Sequence, residues 1–581
     1  MQLKHYTIPK QIRERLLPNR WDALALIIVV SMIGLLASGA QQMHVPYALG
    51  EALPISLDPA QLPEYGLRTV LRMFLALMAS LLFSFIFGAW AARSARAERI
   101  IIPMIDVLQS VPVLGFLSIT VVGFIALFPN SLLGPECAAI FAIFTAQAWN
   151  MAFSVYQSFR TIPVDLMEAA RSFRLTSTQR FWRIELPFAM PGLLWNTMMS
   201  MSASWFFVVA AEAITVSNQN ILLPGIGSYI AVAIKQADMH AVIYAAIAML
   251  LIILLYDQLI FRPLIKWSEK FHTGQMNEEE RGSSWFYTVL NQTKLLRYLK
   301  QELLSMFDWV MIKNVQHEHK MTPNKKSLSP AFNALLMKTV DVLFILLIVA
   351  GVYKIGTFIS SNITIAEVLH VCALGAATAF RIVILIILSS LIWVPVGVWV
   401  GLRPGVSRWV QPIAQFLAAF PANLLFPFVV ILIVRYSLNV EVWVTPLMIL
   451  GTQWYILFNV IAGTSTLPKE LQNAAKIFGV KGWLWWKRLM LPAIFPFYVT
   501  GALAAAGGCW NASIVAEVVT WGNTTLVATG LGAYITQYTT SGDFPRIVLG
   551  IAVMSLYVLL FNRCLWHRLY LFAEERCRLE I

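Results

Sequence analysis

The sequence predicts an all-α polytopic membrane protein, with about twelve transmembrane helices arranged as two parallel six-helix repeats. Three observations predict it: an apolar composition with little charge, apolar runs of bilayer-spanning length, and a fixed offset that relates one half of the chain to the other. Of 581 residues, 58% are hydrophobic and 13% charged, roughly half the charge share of a soluble domain. Runs such as 21–40, 243–260 and 334–352 approach the ~20 apolar residues a helix needs to cross the hydrocarbon.

In chain order the spans fall near 21–42, 67–91, 101–128, 136–157, 189–216, 241–261, 334–358, 367–401, 409–434, 442–463, 494–520 and 545–565. The first follows Lys4, Lys10, Arg13, Arg15 and Arg20 without a small-residue cleavage site after it, so it reads as a retained helix rather than a signal peptide. The net charge of +13 sits in alternate loops. Segments 43–66, 359–366 and 521–542 hold no Lys or Arg, whereas Arg93, Arg96, Arg99, Arg403 and Arg408 lie on the other side. The positive-inside rule then places both termini in the cytoplasm of a multi-pass protein of a bacterial inner membrane. The basic balance therefore sets topology and does not point to nucleic acid. Five scattered cysteines show neither metal spacing nor a disulfide framework.

The repeat is read from residue pairs. Trp149 and Trp454, Pro163 and Pro468, Phe173 and Phe478, Pro187 and Pro492, Trp205 and Trp510, Glu212 and Glu517, and Gly227 and Gly532 are each 305 apart. Upstream the offset is 309, as for Thr69 and Thr378, Arg72 and Arg381, Pro103 and Pro412, and Pro112 and Pro421. The change falls across the loop near 129–135, where insertions are tolerated. Six spans per unit return the chain to the same side, so the repeats are parallel. The expected domains are 1–265 and 334–581, joined by a polar linker at 266–333. Within the linker, 285–310 carries Leu295, Leu296, Leu299, Leu303 and Phe307 at helical spacing. Such an amphipathic helix rests on the inner leaflet or packs on a partner subunit. His317 and His319 follow as solvated linker residues.

Two charged segments interrupt this apolar chain: EAARSFRLTSTQRFWRIELP (168–187) and its counterpart NAAKIFGVKGWLWWKRLMLP (473–492). Each reads as a helix–turn–helix outside the bilayer. Pro163 and Pro468 suit a first helical turn, and Asp165, Glu168 and Glu470 favour its positive end. Ala169, Ala170, Ala474 and Ala475 leave a small, smooth face, beside Phe173 and Phe478. A loop that only fixed topology would not need paired alanines, phenylalanines and prolines, so docking is the preferred reading.

This pattern resembles the EAA loop of inner-membrane permease subunits of binding-protein-dependent ABC importers. AAEAITVSNQNILLPGIGSYI (210–230) and VAEVVTWGNTTLVATGLGAYI (515–535) look most like the nitrate, taurine and sulfonate branch. The resemblance covers nearly all of both halves, as if two such subunits were joined. It implies a type I importer permease fold. It also implies a cargo such as nitrate, a sulfonate or taurine, and a periplasmic or lipid-anchored substrate-binding protein. Two ATPase subunits would dock on 161–187 and 466–492. Each copy departs from the pattern once. Arg174 stands where the family has Gly, and Asn473 where it has Glu; Gly479 keeps the glycine. An L-residue adopts the left-handed turn at a cost, so the first helix is expected to run on or turn elsewhere, and the two sockets to be non-equivalent. No GxxxxGK[ST] loop occurs, so ATP is expected on the partners and no cofactor on this chain.

Glu212 and Glu517 are expected deep in corresponding spans, seven residues after Trp205 and Trp510. An intramembrane carboxylate suggests function, yet it would repel an anionic cargo. Cross-linking of helices is preferred to a place on the pathway. Gly225, Gly227, Gly530 and Gly532 in the outer segments shape an outer gate or the contact with a binding protein, or merely punctuate loops; these readings are open. Pro103, Pro112, Pro412 and Pro421 are expected to kink or break their spans. The rival to an importer subunit is an ion-coupled secondary transporter with tandem six-helix repeats. It would not need two matched docking helices. An intramembrane enzyme would want clustered catalytic groups, and only two lone carboxylates are in view.

Overall fold

A computed structural model describes residues 54–216, 219–271, 284–293 and 330–576, together with Gly34 and Glu302. The first half contains α1 (Pro59–Arg93), α2 (Ala95–Ser110), α3 (Val113–Leu127) and α4 (Leu133–Arg160). A short α5 (Val164–Ser172), the long α6 (Ser177–Glu212), the hairpin β1 (Ala213–Val216) and β2 (Gln219–Leu222), α7 (Ile226–Lys235) and α8 (Met239–Phe271) follow. A linker helix α9 (Trp285–Gln292) buries Phe286 and Val289.

The second half begins with α10 (Pro330–Ser360) and α11 (Ile365–Gly401). Next come α12 (Pro404–Ala419), α13 (Ala422–Arg435), α14 (Val440–Trp443) and α15 (Trp454–Ser465). It closes with α16 (Lys469–Ile477), α17 (Gly482–Ala516), β3 (Val518–Trp521), β4 (Thr524–Val527), α18 (Leu531–Ser541) and α19 (Phe544–Ala573).

Among the described residues seven helices are long and apolar enough to cross a membrane, nine if each bent pair is one span. Helix α10 occupies the predicted span 334–358. The predicted span 442–463 is broken: α14, a 3-10 turn at Thr445–Met448 and further turns precede α15. Pro446, which has no N–H to give, and Gly451 stand where the unbroken α4 has Phe141 and Ala146. The predicted span 21–42 lies outside the described residues, as do Leu295, Leu296, Leu299, Leu303 and Phe307 of the expected linker helix. That helix does not run through from 285, because Thr293 turns to an extended conformation.

Two of the four prolines break their spans. Val111 and Phe420 are extended ahead of Pro112 and Pro421, as the proline ring requires of its predecessor. The pairs α2–α3 and α12–α13 bend there by 99° and 78°. Pro103 and Pro412 remain inside continuous helices.

The expected spans 189–216 and 494–520 are too long. Helix α6 ends at Glu212 and α17 at Ala516, and the remainder of each pairs as a two-stranded antiparallel hairpin, Ala213 opposite Leu222 and Val518 opposite Val527.

Each half has its own apolar core, around Met73, Ile143, Val208 and Met249 in the first and Val371, Ile456, Cys509 and Met554 in the second. The halves interlock as well. Ala419 and Leu424 of the second half complete the first core. Asn511 Oδ1 accepts the Val113 N–H at the α2–α3 bend, 2.7 Å away. The Gly522 N–H at the tip of the β3–β4 hairpin donates to the Ile234 carbonyl of α7 at 2.8 Å.

Candidate functional site

Helices α5 and α16 are near replicas. Pro163 (φ −55°, ψ 138°) and Pro468 (φ −56°, ψ 136°) precede their first residues in extended form. Ala170 and Ala475 face inward and are buried, whereas Glu168, Ala169 and Asn473 are exposed and Ala474 is half-buried. Asp165 and Glu470 sit in the first turns. Phe173 and Phe478 stand 79% and 81% exposed at the C-terminal ends.

The ends of the two helices correct one expectation. Arg174 takes φ +49° and Gly479 φ +67°, and the same pair of hydrogen bonds closes each turn. Leu175 N–H donates to Ala170 O at 3.0 Å and Arg174 N–H to Arg171 O at 2.9 Å; Val480 N–H donates to Ala475 O at 2.9 Å and Gly479 N–H to Lys476 O at 3.1 Å. This is a Schellman closure in both copies. The first helix neither runs on nor turns elsewhere: two backbone hydrogen bonds outweigh the ~1–2 kcal/mol that a left-handed L-residue costs.

Behind α5 lies a polar anchor that the second copy lacks. Glu185 is buried and accepts from Arg93 Nε at 3.1 Å and from Arg180 Nε at 2.8 Å, with Arg93 Nη2 closer still. The Arg93 guanidinium also lies 5.1 Å over the Phe181 ring. Leu402, Trp485 and Met490 hold the corresponding positions in the second half.

At the other end of the spans, Glu212 and Glu517 are not deep within helices as expected. Glu212 is the last residue of α6 and Glu517 caps α17, yet both are fully buried. Glu212 Oε1 accepts from Thr69 Oγ1 (2.7 Å) and Arg72 Nη1 (2.5 Å), and Oε2 accepts the Gly227 N–H (2.6 Å). Arg72 in turn donates Nε and Nη2 to Glu136 at 2.5 and 2.6 Å, and Nη2 to Pro224 O at 2.9 Å. Four elements, α1, α4, α6 and the start of α7, thus meet at one ion cluster.

The second copy uses the same residue types. Glu517 accepts from Thr378 Oγ1 (2.8 Å), Arg381 Nη1 (3.3 Å) and the Ala533 N–H (3.0 Å). Arg381 also pairs with Glu441, which accepts from Thr529 N–H at 2.9 Å. This cluster is looser: the Arg381 and Glu441 side chains are 13% and 43% exposed.

The glycines belong to these clusters. A Cβ on Gly225 would fall 2.4 Å from the Glu212 carboxylate, and one on Gly530 2.2 Å from that of Glu517. On Gly227 and Gly532 it would meet the Val209 and Ser513 carbonyl oxygens at 2.3 and 2.4 Å. Their role is close approach. Trp205 and Trp510 are buried elsewhere, packed edge-on to Tyr256 and stacked on Tyr557. The arginines and Glu136 and Glu441 were not singled out as site residues. Glu136 and Glu441 share the 305 offset of Glu212 and Glu517, and that coincidence was the available signal. Among the described residues no group of three or more His, Cys, Asp or Glu could hold a metal ion; His317 and His319 lie outside them.

Comparison with known proteins decides the family. The family described as binding-protein-dependent transport system inner membrane component matches twice, at residues 84–262 and 393–565, well over half the chain. The chain belongs to this family. Two such components are fused in one chain, in agreement with the repeat. Relatives include the nitrate import permease protein NrtB of Leptolyngbya laminosa, 25% identical over 32% of this chain and 63% of the relative. The bicarbonate transport system permease protein CmpB of Synechococcus elongatus is 26% identical over 30% of this chain and 60% of its own length. The glycine betaine/proline betaine permease ProW of Escherichia coli is 26% identical over 33% and 50%. The chain thus spans half to about two thirds of these curated relatives.

Proposed function

We propose that this chain supplies two membrane-spanning permease domains of an ATP-driven importer, moving a small polar solute inward by alternating access. The carrying observation is the duplication of α5 and α16 with the same turn geometry and the same exposed phenylalanine, outside the membrane-spanning helices. A separate ATPase subunit seats on each. Pro163, Asp165, Glu168 and Ala169 define the first contact face; Pro468, Glu470, Asn473 and Ala474 define the second. Both segments and both termini lie in the cytoplasm, on the Lys- and Arg-rich side. A binding protein delivers the solute at the opposite face, near the hairpins. The relatives' names include nitrate and bicarbonate, so a small anion is the first solute to try, with glycine betaine next. Arg72 and Arg381 each offset one of the two carboxylates they hold, so an anion's route runs apart from both clusters.

The test is purification of the tagged chain from its native membranes in mild detergent, with identification of bound proteins and assay of ATP hydrolysis. Ala169→Asp and Ala474→Asp place a carboxylate on each docking face without touching Ala170 or Ala475. An ATPase that co-purifies and is lost in both variants supports the reading. A chain with which nothing that hydrolyses ATP ever associates would sink it.

A further inference from the structure

The third span of the second half packs against the fifth and sixth spans of the first, and the fit leaves a cavity of about 420 Å³, a size typical of ~300–1,000 Å³ ligand sites. Its wall is mainly apolar: Met201, Trp205, Phe261, Phe416 and Ala419 among others. One wall residue breaks the pattern. Tyr256 is only 4% exposed, and its hydroxyl has no hydrogen-bond partner among the described residues. A buried hydroxyl without a partner costs on the order of 1–3 kcal/mol, which a ligand with an acceptor oxygen would recover.

Part of the cavity wall is exposed on the outer surface of the helices. Helix α8 is the outer wall and is only one-third buried in its most apolar stretch. Leu254 and Ile413, both lining residues, present apolar surface outward. The polar residues gather at the end nearer the coupling helices. Arg262 lines the cavity and is held by Asp257 Oδ2 through Nε at 3.0 Å, and among the described residues its two terminal nitrogens make no hydrogen bond. It lies 23 residues beyond Met239, or roughly 35 Å at 1.5 Å per residue, which is one hydrocarbon thickness. Arg408, exposed, stands one helical turn before the lining residue Pro412 and so shares its face.

We infer that this cavity holds an anionic phospholipid from the leaflet on the coupling-helix side, an acyl chain among the apolar residues, its ester oxygen accepting from Tyr256 and its phosphate on Arg262 and Arg408. Basic pockets between helices at that depth are suited to anionic headgroups. The site is one-sided. The repeat puts Phe561 where Tyr256 stands and His567 where Arg262 stands; the equivalent junction therefore lacks both the hydroxyl and the guanidinium at these positions. A lipid there wedges the two halves together at one seam only. This inference does not depend on the coupling reading.

The experiment is native mass spectrometry of the full chain, with whatever subunits remain bound, released from nanodiscs of mixed phosphatidylglycerol and phosphatidylcholine. One phosphatidylglycerol is expected to stay bound in preference to phosphatidylcholine. Tyr256→Phe, which deletes a single atom, should cut that retention roughly five-fold. The double variant Asp257→Asn with Arg262→Gln should abolish it, and Phe561→Leu in the other half should leave it unchanged. Melting temperature and elution volume check that each variant folds. Equal retention of both lipids, retention that survives Tyr256→Phe and the double variant, or a water-soluble solute in place of lipid would each overturn the inference.

Discussion

Glu212→Gln tests whether the two ion clusters differ as their burial says they do. The substitution keeps the shape of the side chain, but glutamine has one oxygen where the carboxylate has two, so Thr69 on Oε1 and the Gly227 N–H on Oε2 cannot both keep an acceptor. It removes one of the two carboxylates that balance Arg72, which is completely buried. Arg72 keeps its bidentate pair with Glu136, so the cost is one charge-assisted hydrogen bond lost in an enclosed site plus a buried N–H left against an amide nitrogen, about 3–5 kcal/mol together. Glu517→Gln removes the equivalent group from Arg381. There the distance is already 3.3 Å, and Glu441 is open to solvent that can re-solvate the arginine, so the cost is mainly that of the Ala533 N–H losing its oxygen, about 1–2 kcal/mol. Apparent melting temperatures of the two variants in one detergent should therefore fall by unequal amounts, about 3–4 °C for Glu212→Gln and about 1–2 °C for Glu517→Gln. Equal falls, or a larger fall for Glu517→Gln, would refute the argument that enclosure, not residue type, sets the strength of each cluster.

Three further outcomes follow from the same geometry. Gly225→Ala and Gly530→Ala each drive a methyl into a carboxylate at 2.4 and 2.2 Å, so both should reduce the yield of monodisperse protein sharply; normal yields would show that the clusters can shift. Arg174→Gly should raise the melting temperature slightly by relieving about 1 kcal/mol of left-handed strain, and Gly479→Arg should lower it; the opposite signs would mean that the turn is set by side-chain contacts. Glu185→Gln, which weakens the hold on Arg93 and Arg180, should make ATP hydrolysis by the assembled complex more sensitive to salt than Met490→Gln does, and equal salt profiles would count against distinct anchors.

Much of this architecture was legible because it rests on signals that add along the chain. Apolar runs marked the spans, and matched pairs such as Trp205 and Trp510 marked the duplication. Other features depend on contacts between distant residues. Arg72 meets Glu136 and Glu212 across 64 and 140 residues, and a carboxylate near a span end looks alone until its arginine is placed. The hairpins were read as helix because AITV and VVTW are as apolar as the helices that precede them. The left-handed Arg174 was unexpected because its cost is local, while the two hydrogen bonds that offset it come from the helix already formed.

The break in the second half's fourth span carries the last prediction. In the first half, Glu136 stands on the first turn of a helix that runs 28 residues without interruption. Glu441 stands on a helix of four residues, followed by a four-residue 3-10 turn. Neither piece is long enough to be stable by itself, so each is held by tertiary contacts. Trp393 Nε1 donates to Gln453 Oε1 at 2.9 Å, and Arg381 and Thr529 hold Glu441. A segment whose backbone bonds are confined to short turns opens locally at lower cost than an unbroken helix, even with Val444, Leu447 and Met448 buried in the second core. Amide hydrogens of 440–453 should therefore exchange much faster than those of 135–148, their counterparts at the 305 offset. Arg381→Gln should speed exchange in the former, because it releases Glu441, while leaving the latter unchanged. If both segments are equally protected, the looser cluster is not a point of local opening, and the difference between the halves is confined to their resting geometry.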